Sequence, residues 1–217
     1  MKRVKEHMGL DMRAAMKALR QKRKCYVSEA DFQLELAWVL KDMYPDALVR
    51  CEYVPEFNTN MHMDILVIKD GKWHPIELKY KTKGAALTVD NEKYVLKNHG
   101  AKDIGCYLFL YDIYRIETIK DSIGSAFAEG YAIMLTNELS YCKPPRKKDC
   151  VYSAFTLENG CIKHGHLDWA ESTGEGTKKQ CRHPIVLKGA YECHWEDYSE
   201  IESTEVGIFR FLEVKVV

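Results

Sequence analysis

The chain has 217 residues, 46% of them hydrophobic and 29% charged, enough for one domain with a sizeable core and too balanced in composition for a disordered segment. Lysine plus arginine and aspartate plus glutamate each number 32, a formal net charge of zero, which excludes a globally basic nucleic-acid binder and makes any basic surface local. Eight cysteines lie scattered without a C-x-x-C pair, a usage that fits reduced thiols in a cytoplasmic protein better than a disulfide scaffold; the N-terminus lacks an apolar signal stretch and no apolar run is long enough for a bilayer, so no membrane association is expected.

Residues 1–27 form a basic segment of helical character, with Lys17, Arg20, Lys22, Arg23 and Lys24 close together. Such a cluster either contacts a phosphate backbone or is a solvated helix face. A better-defined helix follows, because Ser28 stands as N-cap with Asp31 three residues on, and Phe32, Leu36, Val39, Leu40 and Met43 recur on one face before Pro45 stops it. Glu35 falls on the border of that apolar face, and Glu29 lies in the first turn, where an acid already suits the helix dipole.

Leu48 to Phe57 reads as a strand, with Glu52 and Glu56 as acids on it, and Asn58-Thr59-Asn60 as the following turn. Two apolar runs, Ile65 to Ile68 and Trp73 to Leu78, then flank Asp70-Gly71, and a two-residue Asp-Gly between strand-like runs is the signature of a β-hairpin. If Lys69 faces Lys72 across the turn, Ile68 faces Trp73, Leu66 faces Pro75 and Asp64 faces Glu77, with Lys79 on the same face as both acids. Like charges opposed across a ladder destabilise it, and a divalent cation between them turns repulsion into chelation. Pro75 cannot donate to a ladder and marks an edge or bulge where this register could slip by one.

Beyond the hairpin, Lys81 and Lys83 make a basic exit suited to phosphate. Residues 90–99 and 103–120 read as helices, the second carrying Tyr107, Tyr111 and Tyr114 near one face and Lys102 and Arg115 within reach of a phosphate backbone. Gly130 to Thr136 is a continuous apolar run, the pattern of a strand buried on both faces. From 141 the chain becomes a basic, proline-broken connector, Lys143-Pro144-Pro145-Arg146-Lys147-Lys148, followed by strand-like pieces at 151–157, 161–169, 185–194 and 208–216, with a loop at 170–183.

The pattern Asp64-x12-Glu77-x-Lys79, in a hairpin preceded by an acidic helix and followed by a helix and a buried strand, resembles the PD-(D/E)xK nuclease superfamily, although Met63 stands where the family name has proline. The resemblance implies an α/β fold, a restriction-endonuclease-like α-β-β-β-α-β core with a mixed central sheet over residues 28–140, and leaves 141–217 as a β-rich extension packed on it. It implies Asp64, Glu77, the backbone carbonyl of Leu78 and a glutamate of the first helix as ligands of one or two Mg²⁺ ions, with Mn²⁺ able to substitute. Glu35 is the helix glutamate of choice and Glu29 its rival. Lys79 would orient a water or offset charge on phosphorus, and a lysine beside two acids stays protonated. The implied function is hydrolysis of phosphodiester bonds in nucleic acid, DNA first and RNA second, by a chain whose homodimer formation is left open.

Three rivals stand beside this reading. The chain could keep the nuclease-like fold as a catalytically inactive nucleic-acid or protein binding module, or the motif could be accidental and Asp64 and Lys79 a cross-strand ion pair. Cys161, His164, His166, Cys181, His183, Cys193 and His194 are zinc-capable, but their spacing repeats no known zinc motif, so buried thiols and surface histidines are expected instead.

Overall fold

The structure is a computed structural model that describes residues 9–147, 149–179 and 181–217. The start of the basic N-terminal segment, 1–8, and Lys148 of the connector lie outside the described residues. Helix α1 spans Met12–Lys22, where the Asp11 carboxylate accepts from Ala14 N at 2.9 Å and Met12, Ala15, Met16 and Leu19 turn inward. Helix α2 spans Glu29–Met43 and starts as its sequence dictates, with Ser28 Oγ accepting from Asp31 N at 3.1 Å.

Strands β1 (Leu48–Tyr53), β2 (Met63–Lys69) and β3 (Lys72–Lys81) form an antiparallel meander. Asp70 and Gly71 take φ of 52° and 73°, and the register across the turn is Lys69 with Lys72, Ile68 with Trp73 and Leu66 with Pro75. No slip occurs at Pro75. In the alternating antiparallel pattern Pro75 is a non-hydrogen-bonded position toward β2, and its pairing with the strand on its other side begins only at Ile76.

The segment expected as a helix at 90–99 is a second hairpin, β4 (Ala85–Val89) and β5 (Glu92–Leu96), whose turn residues Asp90 and Asn91 both have positive φ, 50° and 68°. The signal was present: Asp-Asn accepts the left-handed turn, and Leu87, Tyr94 and Leu96 bury on one face. Helix α3 (Lys102–Ile123) then crosses back, and β6 (Gly130–Thr136), buried at every residue, pairs parallel with β3.

Part of the β-rich chain from 141 joins the central sheet. Its last strand, β10 (Ile208–Val216), pairs antiparallel with β6, and β9 (Trp195–Glu200), absent from the sequence reading, pairs with β10. The central sheet therefore has six strands in the order β1-β2-β3-β6-β10-β9, mixed through its one parallel pair. Residues 153–155 make a turn of 3₁₀ helix where a strand was expected, 162–167 (β7) and 185–192 (β8) form a separate ribbon, and Glu175–Lys178 is a single helical turn, α4.

Two apolar layers sandwich the sheet. Ile65, Val67, Ile76, Leu78 and Tyr80 pack toward α1 and α2, while Met63, Leu66, Ala132 and Met134 pack toward α3 and the β7–β8 ribbon. Period-2 alternation therefore puts Glu77 and Lys79 on the α3 side, beside Asp64. Among the described residues no helix is long and apolar enough to cross a membrane.

Candidate functional site

The β2–β3 ladder ends at Ile65 with Ile76, one pair short of the two acids. Beyond that point the β3 amides that face β2 lack strand partners, and carboxylates take them: Leu78 N donates to Asp64 Oδ2 at 2.6 Å and Tyr80 N to Glu29 Oε2 at 2.7 Å. On the other side of Asp64, between the pairs Cys51 with Ile65 and Tyr53 with Met63, Glu52 sits in the left-handed region at φ 52°. That is a costly conformation for a non-glycine residue. Gln33 of α2 bridges the kink, its Nε2 donating to Asp64 O at 2.6 Å and to Glu52 Oε1 at 2.7 Å.

The α3 side closes the site from above. Asp112 Oδ2 lies 2.6 Å from Lys79 Nζ, which also donates to the Leu78 carbonyl at 3.0 Å. Arg115, one turn along α3, places Nη1 3.0 Å from Glu77 Oε2 and 3.6 Å from Asp112 Oδ1, and donates through Nη2 to the His62 carbonyl. Glu77 Oε1 is buried with no hydrogen-bond partner among the described residues.

Electrostatics follow from this crowding. Burial pushes the Asp64 carboxyl up to about 6 against the pull of Lys79 and the Leu78 amide, and Asp112 and Glu29 add repulsion. Burial, then repulsion from Asp112, holds Glu77 well above the usual carboxylate range despite Arg115, and burial likewise raises Asp112. Desolvation works against a charged Lys79, but Asp112, Glu29 and Asp64 more than offset it and hold its ammonium above the ordinary lysine value. The lysine is therefore a cation here and no proton acceptor.

The structure thus brings Asp64, Glu77, Leu78 and Lys79 together and does not bring Glu35 to them. Glu35 turns toward α1, 3.9 Å from Lys22 Nζ, and its charge acts on Tyr26 and Tyr198 instead. The α2 carboxylate at the site is Glu29. Asp112 and Gln33 were missed by sequence reasoning, and Arg115 reaches Glu77 in place of the phosphate role expected of it. For Asp112 there was a signal, an acid set among Phe109, Ile113 and Ile116 on the buried face of α3. Of the helix tyrosines, Tyr107 stacks on Trp169 with centroids 5.6 Å apart, while Tyr111 and Tyr114 stay partly open.

Four carboxylates, Glu29, Asp64, Glu77 and Asp112, meet two cations, Lys79 and Arg115. Among the described residues no group of three or more histidine, cysteine, aspartate or glutamate side chains is placed to hold a metal ion. A cation would rest on the Asp64–Glu77 pair, the Leu78 carbonyl and water. Mg²⁺ fits that set, since it is bound through one or two carboxylates and keeps several waters, and the unpartnered Glu77 Oε1 and the surplus of negative charge are what it would satisfy. Comparison with family models, curated proteins and solved structures finds no match for this chain.

Proposed function

We propose that the chain is a Mg²⁺-dependent nuclease, a phosphodiesterase that hydrolyses DNA, with RNA as the other nucleic-acid substrate, in the manner of the PD-(D/E)xK superfamily. The observation that carries the reading is the juxtaposition of two buried acids, Asp64 and Glu77, with a charged lysine, Lys79, at the point where β2 and β3 part. Folding alone gains nothing from two raised carboxyls side by side, whereas a metal-dependent site requires them. The order helix, three antiparallel strands, helix, parallel strand supports a restriction-endonuclease-like core, and free thiols at all eight cysteines suit the cytoplasm.

In this reading Asp64, Glu77 and the Leu78 carbonyl would hold Mg²⁺ or Mn²⁺, which polarises a phosphate and acidifies a bound water. Lys79 presents a fixed positive charge to a phosphoryl oxygen. Asp112 positions that ammonium from α3, and Glu29 and Asp64 hold the two β3 amides on either side of it. Arg115 pulls against the burial and the repulsion that favour a protonated Glu77, so that it lowers the proton cost of bringing a cation to that acid.

The catalytically inactive binding module is favoured by one observation, the engagement of Lys79 by Asp112 and of Glu77 by Arg115, which occupies both cations of the cluster internally. Incubation with plasmid DNA, linear DNA and RNA in Mg²⁺ or Mn²⁺ separates the two. Cleavage that needs metal and vanishes in Asp64→Ala and Lys79→Ala, with the circular dichroism spectrum unchanged, is the expected result; binding without cleavage in any metal would establish the module.

A further inference from the structure

Three basic stretches far apart in sequence meet at one end of the sheet. Lys83 follows β3, Lys102 opens α3, and Lys143, Arg146 and Lys147 belong to the connector after β6; together they line one groove. Against these five cations the groove carries two acids, Glu138 and Glu205, an excess of three positive charges (5 − 2) in a chain whose formal net charge is zero. Glu138 is turned to its own backbone, accepting from Ser140 N at 3.2 Å, and Glu205 pairs with Lys143 at 3.8 Å. The side chains of Lys83, Arg146 and Lys147 have no carboxylate partner among the described residues.

The groove is built and not incidental. Asn137 clasps the Lys83 backbone, accepting from its N–H at 2.8 Å and donating to its carbonyl at 3.2 Å, while a further hydrogen bond to the Val206 carbonyl ties the clasp to the chain before β10. Lys102 donates to the Ser140 carbonyl at 2.6 Å and lies over the Tyr152 ring, 5.8 Å from its centroid. Tyr152 is partly open and lines the groove beside Pro144 and Pro145, so an aromatic face is interleaved with the cations. That combination is how proteins track a nucleic-acid strand, charge following the phosphates and rings meeting the bases.

Two independent elements give the distance from the groove to the acids. Lys83 lies four residues beyond Lys79, two past the end of β3, a span of at most roughly 13 Å at the strand rise. Lys102 lies ten residues before Asp112 along α3, about 15 Å at the helical rise. Both spans put the groove within a few nucleotides of the acids.

We propose that this groove seats the phosphate backbone of a nucleic-acid strand, a few nucleotides from the phosphate presented to Asp64, Glu77 and Lys79. The distance in this assignment rests on the nuclease reading; the binding does not. A concave, cation-lined groove on the same strand and helix as a candidate phosphodiesterase site fits a nucleic-acid strand better than it fits a membrane surface, which would need a flat face with apolar side chains to insert.

The test is fluorescence anisotropy of a labelled single-stranded DNA oligonucleotide in EDTA, over a range of salt, so that catalysis plays no part. Two triple variants are compared, Lys83→Glu/Arg146→Glu/Lys147→Glu in the groove and Arg50→Glu/Lys93→Glu/Lys179→Glu at exposed cations elsewhere, which change total charge equally. We expect the groove variant to weaken binding at least about tenfold and to reduce the salt slope by about two, three phosphate contacts at roughly 0.7 each, and the matched variant to retain most of the affinity. Equal losses in the two variants, or binding to vesicles of anionic phospholipid with none to the oligonucleotide, would overturn the proposal. Groove-dependent binding without metal-dependent cleavage overturns the nuclease reading and leaves the groove standing. Metal-dependent cleavage with both triple variants binding alike does the reverse.

Discussion

Lys79 Nζ stands 2.6 Å from Asp112 Oδ2, joining the third strand of the meander to the crossover helix beneath a layer of side chains that excludes most water. Removing one partner of a buried pair leaves the other charge uncompensated, which costs about 3–5 kcal/mol in typical cases. Lys79 keeps the Leu78 carbonyl and the field of Glu29 and Asp64, so Asp112→Asn should lose about 2–4 kcal/mol in urea unfolding. Lys79→Met/Asp112→Leu should recover most of that loss, because apolar replacement removes both charges together. A single variant within about 0.5 kcal/mol of wild type would show that the pair holds nothing in place.

Asp64 is raised by burial and by its acidic neighbours, and it adds to the repulsion on Glu77. Asp64→Asn keeps an oxygen for the Leu78 amide and removes one negative charge from a cluster that has too many. The variant without metal should therefore be as stable as wild type at pH 8 or gain up to about 1 kcal/mol, the trade-off seen when a functional charge is neutralised. Mn²⁺ at a hundredfold over its Kd should raise wild-type stability by about 2.7 kcal/mol and leave Asp64→Asn unmoved. A thermal shift of equal size in both proteins would remove Asp64 from any metal site.

What was legible in the chain was what local chemistry decides. Asp70-Gly71 fixes its hairpin because both residues must take positive φ, and the partners of Ile68 and Leu66 follow by counting. Ser28 marks the start of α2 by capping it. The Asp90-Asn91 turn was equally local, and the helical reading of 90–99 failed by weighing composition over the alternation of Leu87, Tyr94 and Leu96. Glu35 ranked above Glu29 for its place on the border of the apolar face of α2, and the structure reverses that order because α1 takes the Glu35 side, which nothing in the sequence says. Asp112 meets Lys79 only where α3 crosses the sheet, and β10 joins β6 across more than seventy residues of chain, so both contacts depend on tertiary placement that periodicity does not encode.

Gly130 opens β6 against Ile116 of α3. A Cβ there would overlap Ile116 Cγ2 and stand 3.2 Å from both Cγ and the carbonyl oxygen of Pro75, tighter than ordinary van der Waals contact. Gly130→Ala should destabilise by about 1–3 kcal/mol through overpacking. Because the severest overlap is with the Ile116 methyl, adding Ile116→Ala should relieve part of the clash and leave the tight approach to Pro75, and the double variant should lose less than the sum of the two single losses. Additive losses in chemical unfolding would place the strain elsewhere in the backbone.

Glu213 on β10 faces the cleft between the sheet and α1, with its Oε2 buried and without a hydrogen-bond partner among the described residues. Burial pushes its carboxyl from 4.5 up to about 7; Arg13 and Lys215 pull it down, and Glu196 and Asp11 push it further up. An acid raised in the folded state favours folding only while protonated. Below its unfolded value of 4.5 it therefore costs nothing, the cost grows between 4.5 and about 7, and above about 7 the penalty is complete. Part of the side chain meets solvent, so screening reduces the penalty to about 1–2 kcal/mol. Glu213→Gln, neutral at every pH, should match wild type near pH 4 and exceed its stability by that amount at pH 8, with the difference opening across the interval between. A difference that stayed constant from pH 4 to pH 8 would mean that the glutamine packs differently and that Glu213 titrates normally.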